Sequence, residues 1–366
     1  MLLYRSVITK LNMRKIILSG SLALFLCLLT GCSVGLVRTS NPAKELQNVP
    51  RLDPNEGPVR ITKSEEEPNK IVINWGWDKG WINLTKPCRV KYQTLYFDFI
   101  DLIVVPGTLP NGQTYSIWLD TGHPCHALTN GLTIIENDLP IYPLGEDPWT
   151  SAHTGLCYLP SLQIGRATIT NPPCQYLQQQ WEVRLLGLPI WQQKGVLLGL
   201  GLLRNFGYIV FNNVKKEAEL ALTGLFEPHH PGRWNSYPFS IEKAQLILDI
   251  PVEGHNLSLI FDTCGRYGMV VSQDIWEKLP TRVKTAKTKQ SKFFSGFLGQ
   301  LPCHRERIKK LRIGSLVVSN AEIIILPKDS PYLPAGNSIS MKVFKNNVVV
   351  LDFERNLMWV NSNEPD

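Results

Sequence analysis

The sequence lacks several features that would assign it to a specialised class of protein. Its 366 residues show no collagen-like repeat and no coiled-coil heptad, and the basic residues form no stripe. The 38 basic and 31 acidic residues give a formal charge of +7, a small imbalance for this length, so we expect no nucleic-acid partner. Because 43% of the residues are hydrophobic, the chain can bury one large core or two modest ones.

Long apolar runs are also rare, and the one that approaches membrane-spanning length lies at the N-terminus. Arg14 and Lys15 precede an apolar stretch, residues 16–29, which is shorter than the 20 or so residues that a spanning helix needs. This order predicts a secretory signal. Its end, Leu29-Thr30-Gly31-Cys32, resembles the lipobox of bacterial lipoproteins. The resemblance implies a signal peptide over residues 1–31 and lipid attachment at Cys32; a plain secretory signal and a signal anchor are the alternatives.

The lipobox resemblance also implies a location in the bacterial cell envelope, with the protein held at a membrane by its N-terminal lipid. Ser33 stands where such lipoproteins carry aspartate when they stay at the inner membrane, so we expect a periplasm-facing outer-membrane anchor. Residues 1–31 hold four of the basic residues and no acidic one, which leaves 34 against 31 and a net charge of +3. Residues 32–70 are rich in Pro, Asn, Glu and Lys and show no period, which predicts a flexible tether.

Export changes how the eight cysteines are interpreted. Cys27 would leave with the signal and Cys32 would carry lipid. The six that remain are Cys88, Cys125, Cys157, Cys174, Cys264 and Cys303. In an oxidising compartment six cysteines allow three disulfides in fifteen connectivities, and mixed pairs or free thiols are the alternatives.

From residue 71 onward, short apolar or alternating runs separated by turn residues dominate the chain. Residues 115–119 and 257–261 are two examples. Helical patterns are few and short, with candidates at residues 272–279 and 202–205. The pattern predicts a mainly β protein.

Two of these runs belong to halves that repeat each other. The first half contains Trp118-Leu119-Asp120-Thr121-Gly122, and the second contains Ile260-Phe261-Asp262-Thr263-Cys264-Gly265. Gly199 follows Asp120 by 79 positions, and Ser340 follows Asp262 by 78. Similar elements in one order at nearly one spacing predict two lobes, residues 71–232 and 233–366, related by a pseudo-two-fold axis and separated by an interlobe cleft.

A pair of Asp-Thr turns at equivalent places suggests a shared chemical task. A carboxylate at the end of a buried strand is costly unless it is hydrogen-bonded or used. If the lobes pack about a two-fold axis, Asp120 and Asp262 meet at the centre, and two carboxyls in contact share one proton. One carboxyl then acts as a base on water and the other as an acid on a carbonyl oxygen, so peptide hydrolysis needs neither metal nor cofactor.

These motifs resemble those of the aspartic peptidases of the pepsin and retropepsin clan. The resemblance rests on the two Asp-Thr motifs and on Leu197-Leu198-Gly199, and it extends over about residues 90–360. It implies an acid-protease fold in which both half-sites lie in one chain, as in pepsin, with short lobes like those of retropepsin subunits. The expected protein is a monomer that acts on polypeptide.

The resemblance also implies roles for individual residues. Asp120 and Asp262 would be the catalytic pair, with Thr121 and Thr263 cross-bonded beneath them and Gly122 shaping the first turn. Cys264 and Gly265 would support the second turn. Tyr158, which follows Asp120 by 38 residues, would lie on a flap that covers the substrate.

The second half departs from the family pattern at two positions. Cys264 stands where the family has glycine, and Ser340 stands at the equivalent of Gly199. The departures leave two functions open. One is a lipid-anchored aspartic endopeptidase; the other is an inactive acid-protease-fold lipoprotein that binds peptides or assists envelope assembly. Cys264 itself is read as an inert or disulfide-bonded thiol in preference to a reactive one.

Other patterns are explained without a metal or cofactor. His123-Pro124-Cys125-His126 offers three metal-ligand side chains but no wider-spaced partners, so no metal site is predicted. Gly199-Leu200-Gly201 lacks the third glycine and the acidic residue of a dinucleotide-binding loop. The lysines of residues 281–292 predict a solvated face, with anionic surface polymers as an alternative contact. The tryptophans at 75, 77 and 81 are expected in the core or between lobes, or in a strip that binds carbohydrate or peptide.

Overall fold

The computed structural model describes most of the chain beyond the N-terminal region. The described residues are 34–40, 45–53, 59–63, 71–75, 81–96, 101–146, 152–185, 188–280, 289–295, 299–333 and 336–361. The predicted signal peptide over residues 1–31, the lipidation site at Cys32, and Trp77 lie outside these ranges. So do residues 281–288 of the predicted lysine-rich loop.

The chain is mainly β, as predicted. The strands of the first half are β1 (Val34–Ser40), β2 (Val59–Lys63), β3 (Ile71–Trp75), β4 (Ile82–Asn83), β5 (Cys88–Lys91), β6 (Val104–Thr108), β7 (Thr114–Asp120), β8 (Ala127–Asn130), β9 (Ile141–Glu146), β10 (His153–Tyr158), β11 (Ser161–Ile164), β12 (Ala167–Thr170), β13 (Pro173–Leu177), β14 (Gln179–Leu185), β15 (Leu188–Gln192), β16 (Gly195–Gly199), β17 (Tyr208–Asn212) and β18 (Glu217–Ala221). Those of the second half are β19 (Trp234–Glu242), β20 (Gln245–Val252), β21 (His255–Asp262), β22 (Met269–Ser272), β23 (Lys289–Ser295), β24 (Gly299–Ile313), β25 (Leu316–Leu326), β26 (Ser338–Ser340), β27 (Val348–Asp352) and β28 (Leu357–Asn361).

Helices in the described ranges are short. The α-helices are α1 (Gly131–Asn137), α2 (Leu200–Leu203) and α3 (Gln273–Lys278), and 3-10 turns span Glu45–Asn48, Pro231–Arg233 and Met341–Phe344. The sequence predicted α3 and, with a shift of two residues, α2. It missed α1, whose start is stabilised by the Asn130 side chain accepting from the Thr133 amide at 3.1 Å. No helix among the described residues is long and apolar enough to span a bilayer.

The contacts divide the chain into two units. The smaller one contains residues 1–41 and 179–193, and its described part is a three-stranded antiparallel sheet, β1-β14-β15. The larger one contains residues 42–178 and 194–366, which include both of the repeated halves.

Two large sheets in the larger unit repeat one order of strands. The ten-stranded sheet runs β4-β12-β11-β6-β7-β16-β8-β13-β10-β9, and the thirteen-stranded sheet runs β23-β24-β25-β22-β26-β21-β20-β19-β28-β27-β17-β18-β5. The segment β6-β7-β16-β8-β13-β10-β9 therefore corresponds to β20-β21-β26-β22-β25-β24-β23. The β7–β16 and β21–β26 pairs are both parallel, and so are the β8–β13 and β22–β25 pairs. This confirms the predicted class of a mainly β protein with two lobes of one design.

The division between the halves is less simple than the sequence predicted. First-half strands β5, β17 and β18 complete the sheet that otherwise belongs to the second half. One hydrophobic cluster contains fully buried residues from both halves, including Leu119, Leu198, Phe261 and Ile339. The predicted boundary after residue 232 and the interlobe cleft stay predictions.

The prediction of a flexible tether over residues 32–70 is wrong for part of that segment. Leu46 and Val49 are buried in the main hydrophobic cluster, at 5% and 7% exposure. The Leu52 amide donates to the Ile141 carbonyl at 2.9 Å, and the Ile141 amide donates to the Pro50 carbonyl at 3.0 Å. Leu46, Val49 and Leu52 are three positions apart and all three are buried. The polar residues between them give this segment the composition of a tether, which is why the sequence did not predict its packing.

The six cysteines available after export all lie in the described ranges, and all six are free thiols. The structure therefore has all six in the reduced form. Cys88, Cys157, Cys174 and Cys303 are buried, whereas Cys125 and Cys264 are partly exposed.

Candidate active site

Each aspartate of the two Asp-Thr motifs lies at the end of a hairpin strand. In the first half β6 pairs with β7, which ends at Asp120. In the second half β20 pairs with β21, which ends at Asp262. The turn between β20 and β21 contains Glu253 and Gly254 at positive φ, 52° and 86°, as tight hairpin turns require. The two carboxyls are thus presented by equivalent elements.

A parallel strand lies beside each aspartate strand. Gly199 of β16 is opposite Asp120, and Ser340 of β26 is opposite Asp262. These are the two positions that the spacing of 79 and 78 residues marked as equivalent.

The threonines after the aspartates join the two halves through four reciprocal hydrogen bonds. The amide of Thr121 donates to Thr263 Oγ1 at 2.9 Å, and the amide of Thr263 donates to Thr121 Oγ1 at 3.1 Å. The Thr121 hydroxyl donates to the Phe261 carbonyl at 2.8 Å, and the Thr263 hydroxyl donates to the Leu119 carbonyl at 2.5 Å. Both threonines are fully buried, so the strand ends that carry the aspartates are held in one fixed arrangement.

The carboxyls of Asp120 and Asp262 are hydrogen-bonded to each other. The Gly122 amide donates to Asp120 Oδ1 at 2.9 Å, and the Cys264 amide donates to Asp262 Oδ1 at 2.8 Å. A second amide in each turn, from His123 and from Gly265, also bonds the nearby carboxyl. The environments of the two acids are therefore matched.

Burial and proximity change the protonation of this pair. Burial, followed by the negative charge of Asp262, raises the pKa of Asp120 well above its ordinary value. Burial also raises the pKa of Asp262, although the amides and the hydrogen bond from Asp120 oppose that rise. The pair consequently holds one shared proton at a pH where isolated carboxyls have lost theirs.

Gly122 lies against the opposite carboxyl. A Cβ atom at this position would be 2.5 Å from Cγ of Asp262 and 2.7 and 2.8 Å from its two oxygens. Such distances are shorter than any real contact, so the first turn requires glycine.

Cys264 occupies the equivalent position of the second turn without disrupting it. Its amide keeps the bond to Asp262, and its Sγ donates to the Leu119 carbonyl at 3.5 Å. Burial, together with the charges of Asp120 and Asp262, raises the pKa of this thiol well above its ordinary value. The thiol is therefore protonated and a poor nucleophile at neutral pH.

The sequence His123-Pro124-Cys125-His126 forms the loop behind the first turn. The Gly199 amide donates to the His126 carbonyl at 3.0 Å, and the Leu200 amide donates to the His123 carbonyl at 2.8 Å. Burial lowers the pKa of His123 to about 4, so its ring is neutral at physiological pH. No group of three metal-ligating side chains is assembled among the residues that the structure describes.

An aromatic cluster beside the second aspartate was not predicted from the sequence. Phe293 of β23 packs against Tyr332 at 4.8 Å between ring centroids and against Tyr267 at 5.1 Å. Burial, followed by the charge of Asp262, raises the pKa of Tyr332 to about 12, and Asp120 contributes to the rise. Because no motif marks residue 332, only the folded chain shows that its hydroxyl lies near the carboxyl pair.

Tyr158 lies at the end of β10, opposite Pro173 of β13. It packs beside Leu52 and Leu156. Residues 147–151, which connect β9 to β10, lie outside the described ranges. The flap role of Tyr158 stays a prediction.

Comparisons with known proteins add a distant similarity of fold. No family model matches the sequence, and no curated protein matches it. Among solved structures, the chain is similar to basic 7S globulin from soybean, with 11% identity and a TM-score of 0.40, over 76% of this chain and 94% of that one. A similarity this distant supports no statement about activity.

Proposed function

We propose that this protein is an aspartic endopeptidase that hydrolyses peptide bonds with Asp120, Asp262 and an activated water. The observation that carries the proposal is the hydrogen-bonded carboxyl pair, with two backbone amides on each member and one retained proton. Such a pair supplies a general base for the attacking water and a general acid for the carbonyl oxygen, and uncatalysed amide hydrolysis has neither.

In the proposed reaction Asp262 is the base and Asp120 the acid. Asp262 takes a proton from water as the water oxygen attacks the carbonyl carbon, while Asp120 gives its proton to the carbonyl oxygen. The resulting tetrahedral diol collapses when the amide nitrogen is protonated by Asp262 and the diol proton returns to Asp120. The C–N bond breaks, and the pair is left with its single proton, so the cycle balances without a metal.

The surrounding residues have positioning roles in this proposal. Thr121 and Thr263 hold the strand ends in register, and Gly122 leaves room for the carboxyl of Asp262. The amides of Cys264 and Gly265 orient that carboxyl. Tyr158 is assigned to a flap, on the family resemblance alone.

Anchoring and partners belong to the proposal as well. The lipobox-like Leu29-Thr30-Gly31-Cys32 supports a lipid anchor at Cys32, with the outer membrane as the site. The substrate is polypeptide, and one chain carries both half-sites, so a monomer suffices for activity.

The experiment is hydrolysis of an unfolded protein across acid to neutral pH. We expect Asp120→Asn and Asp262→Asn each to abolish cleavage. Asp249→Asn is the matched control, since Asp249 is an exposed carboxylate on β20 that bonds Ser258. No cleavage by the wild-type protein at any pH in this range would contradict the proposal.

The second candidate function is peptide binding without turnover. It is supported by the Cys264 side chain, which places a sulfur beside both carboxyls where the first turn has only a hydrogen atom. Measured peptide binding by the Asp120→Asn/Asp262→Asn double variant, together with an inactive wild type, would favour this candidate over the peptidase.

A further inference from the structure

Cys157 and Cys174 lie directly opposite each other on neighbouring antiparallel strands, β10 and β13. Both side chains are fully buried, and the two thiols are hydrogen-bonded. Opposed residues in antiparallel strands have Cα atoms about 4.5–5.5 Å apart, within the range of about 4.4–6.8 Å found in disulfides. Three of the fifteen connectivities that the sequence allows contain this pair, and the strand register favours those three.

The other buried cysteines have no such neighbour across their strands. Cys88 pairs with Leu220 and Cys303 with Ser291. These two residues provide matched controls, since they are equally buried but lie opposite side chains that cannot form a disulfide.

We propose that Cys157 and Cys174 form a disulfide. An external small-molecule disulfide supplies the oxidising equivalents while the chain folds. The thiolate of one of the two cysteines attacks it and releases one external thiol, and the thiolate of the other cysteine then attacks the sulfur of the first and releases the second external thiol. Two protein thiols lose two protons and two electrons, and the external disulfide is reduced to two thiols.

The bond would join two neighbouring strands of the ten-stranded sheet that carries Asp120. β10 belongs to the β9–β10 hairpin, and β13 pairs with β8, which follows the Asp120 turn. It would also restrict the unfolded chain between residues 157 and 174, so the oxidised protein should be the more stable form. The bond would form whether or not the protein hydrolyses peptides.

The first test is peptide mapping by mass spectrometry without reductant, after the reduced full chain has refolded in oxidised glutathione. We expect a cross-linked peptide joining Cys157 to Cys174, lighter by two hydrogens than the two thiol peptides. A chain with all thiols, or a Cys125–Cys174 bond as the end product, would overturn the proposal.

The second test compares thermal unfolding of the glutathione-refolded chain with and without a phosphine reductant. We expect the reductant to lower the midpoint of the wild type and of Cys88→Ala and Cys303→Ala by about 5 °C or more. The midpoints of Cys157→Ala and Cys174→Ala should not respond. If the reductant lowers the midpoints of these two variants as much as that of the wild type, the proposed pairing is wrong. If the two variants do not fold, the peptide map of the wild type tests the pairing.

Discussion

Ser340 and Gly265 occupy one shared space in the second turn. The Cβ atom of Ser340 lies 2.7 Å from the position that a Cβ atom on Gly265 would take, so a side chain is tolerated at only one of the two. In the first turn the arrangement is reversed: His123, which has a side chain, stands at the position equivalent to Gly265, and Gly199, which has none, stands at the position equivalent to Ser340. The second-half departure at Ser340 is thus compensated by a neighbouring glycine and leaves the carboxyl geometry intact.

This exchange predicts that two corresponding substitutions destabilise the protein to different extents. In Gly199→Ser the new Cβ would lie 2.3 Å from the Cys125 carbonyl and 2.6 Å from the His123 carbonyl, so we expect a loss of about 2 kcal/mol or more in the free energy of unfolding. Ser340→Gly loses the bond from its hydroxyl to the Tyr267 carbonyl, 2.6 Å, and should cost about 1 kcal/mol. Urea unfolding checks both. Equal destabilisation by the two variants would show that the halves do not differ in this way.

A second pair of substitutions tests the turn residues next to the carboxyls. Gly122→Ala places a methyl group on the carboxyl of Asp262, so we expect hydrolysis to fall by at least 100-fold as the pair is displaced. Cys264→Gly keeps the backbone amide that bonds Asp262 and removes only the thiol. We expect it to retain or increase activity. Peptide hydrolysis by purified variants decides the matter, and an inactive Cys264→Gly would assign the thiol a necessary role.

The raised pKa values predict how stability depends on pH. Ordinary aspartates titrate near pH 4, whereas the folded pair keeps a proton to higher pH. The folded state then binds more protons than the unfolded one above pH 4, so stability falls as pH rises toward the raised value. Each unit by which a pKa is raised is worth about 1.4 kcal/mol.

Asp120→Asn should therefore stabilise the protein at neutral pH and flatten this pH dependence, even as it abolishes activity. Urea unfolding of both proteins from pH 4 to pH 8 measures the difference, with Asp249→Asn as the control that should leave the slope unchanged. If Asp120→Asn is no more stable than the wild type at pH 7, the carboxyl pair is not strained in the folded state.

The threonine bridge predicts strong coupling between the halves. Each hydroxyl makes two of the four bonds, so Thr121→Val and Thr263→Val should each cost about 2–3 kcal/mol. We expect the double variant to lose less than the sum, because both substitutions break the same network. Thr170→Val, at an exposed position of β12, is the control. Simple additivity in unfolding experiments would indicate two independent contacts.

The sequence predicted the centre of the fold because the information there is local and repeated. Asp120 and Asp262 end apolar runs, and the matched spacing marked Gly199 and Ser340 as equivalent positions, which lie opposite the two aspartates in the structure. The cross-bonding of Thr121 with Thr263 came from the family resemblance and has the geometry that the resemblance implied.

Features that depend on distant parts of the chain could not be predicted. Leu46 and Val49 pack in the core against residues that are far along the sequence. The polar residues around them make the segment look like a solvated tether in the sequence. The opposition of Cys157 and Cys174 depends on strand register, which no pair of cysteines encodes by itself. Tyr332 lies in the connection between β25 and β26, 70 positions after Asp262, and no motif links the two residues.

The aromatic cluster of Tyr267, Phe293 and Tyr332 predicts which peptides the proposed enzyme prefers. Tyr332 is the partly buried ring of the cluster and lies near the carboxyl pair, whereas Tyr267 and Phe293 are buried behind it, so we expect preference for a bulky apolar side chain next to the cleaved bond. Tyr332→Ala should lower kcat/KM for such peptides by roughly tenfold relative to peptides with alanine there. Tyr332→Phe should keep the preference, since it keeps the ring.

Competitive cleavage of a peptide mixture, read by mass spectrometry, measures this ratio directly. Tyr208→Ala is the control, because Tyr208 packs against Phe226 in another part of the sheet. A ratio that changes equally in the Tyr208 and Tyr332 variants would reflect general destabilisation. A ratio that changes only with Tyr332 would place the substrate side chain against its ring, on the Asp262 side of the pair.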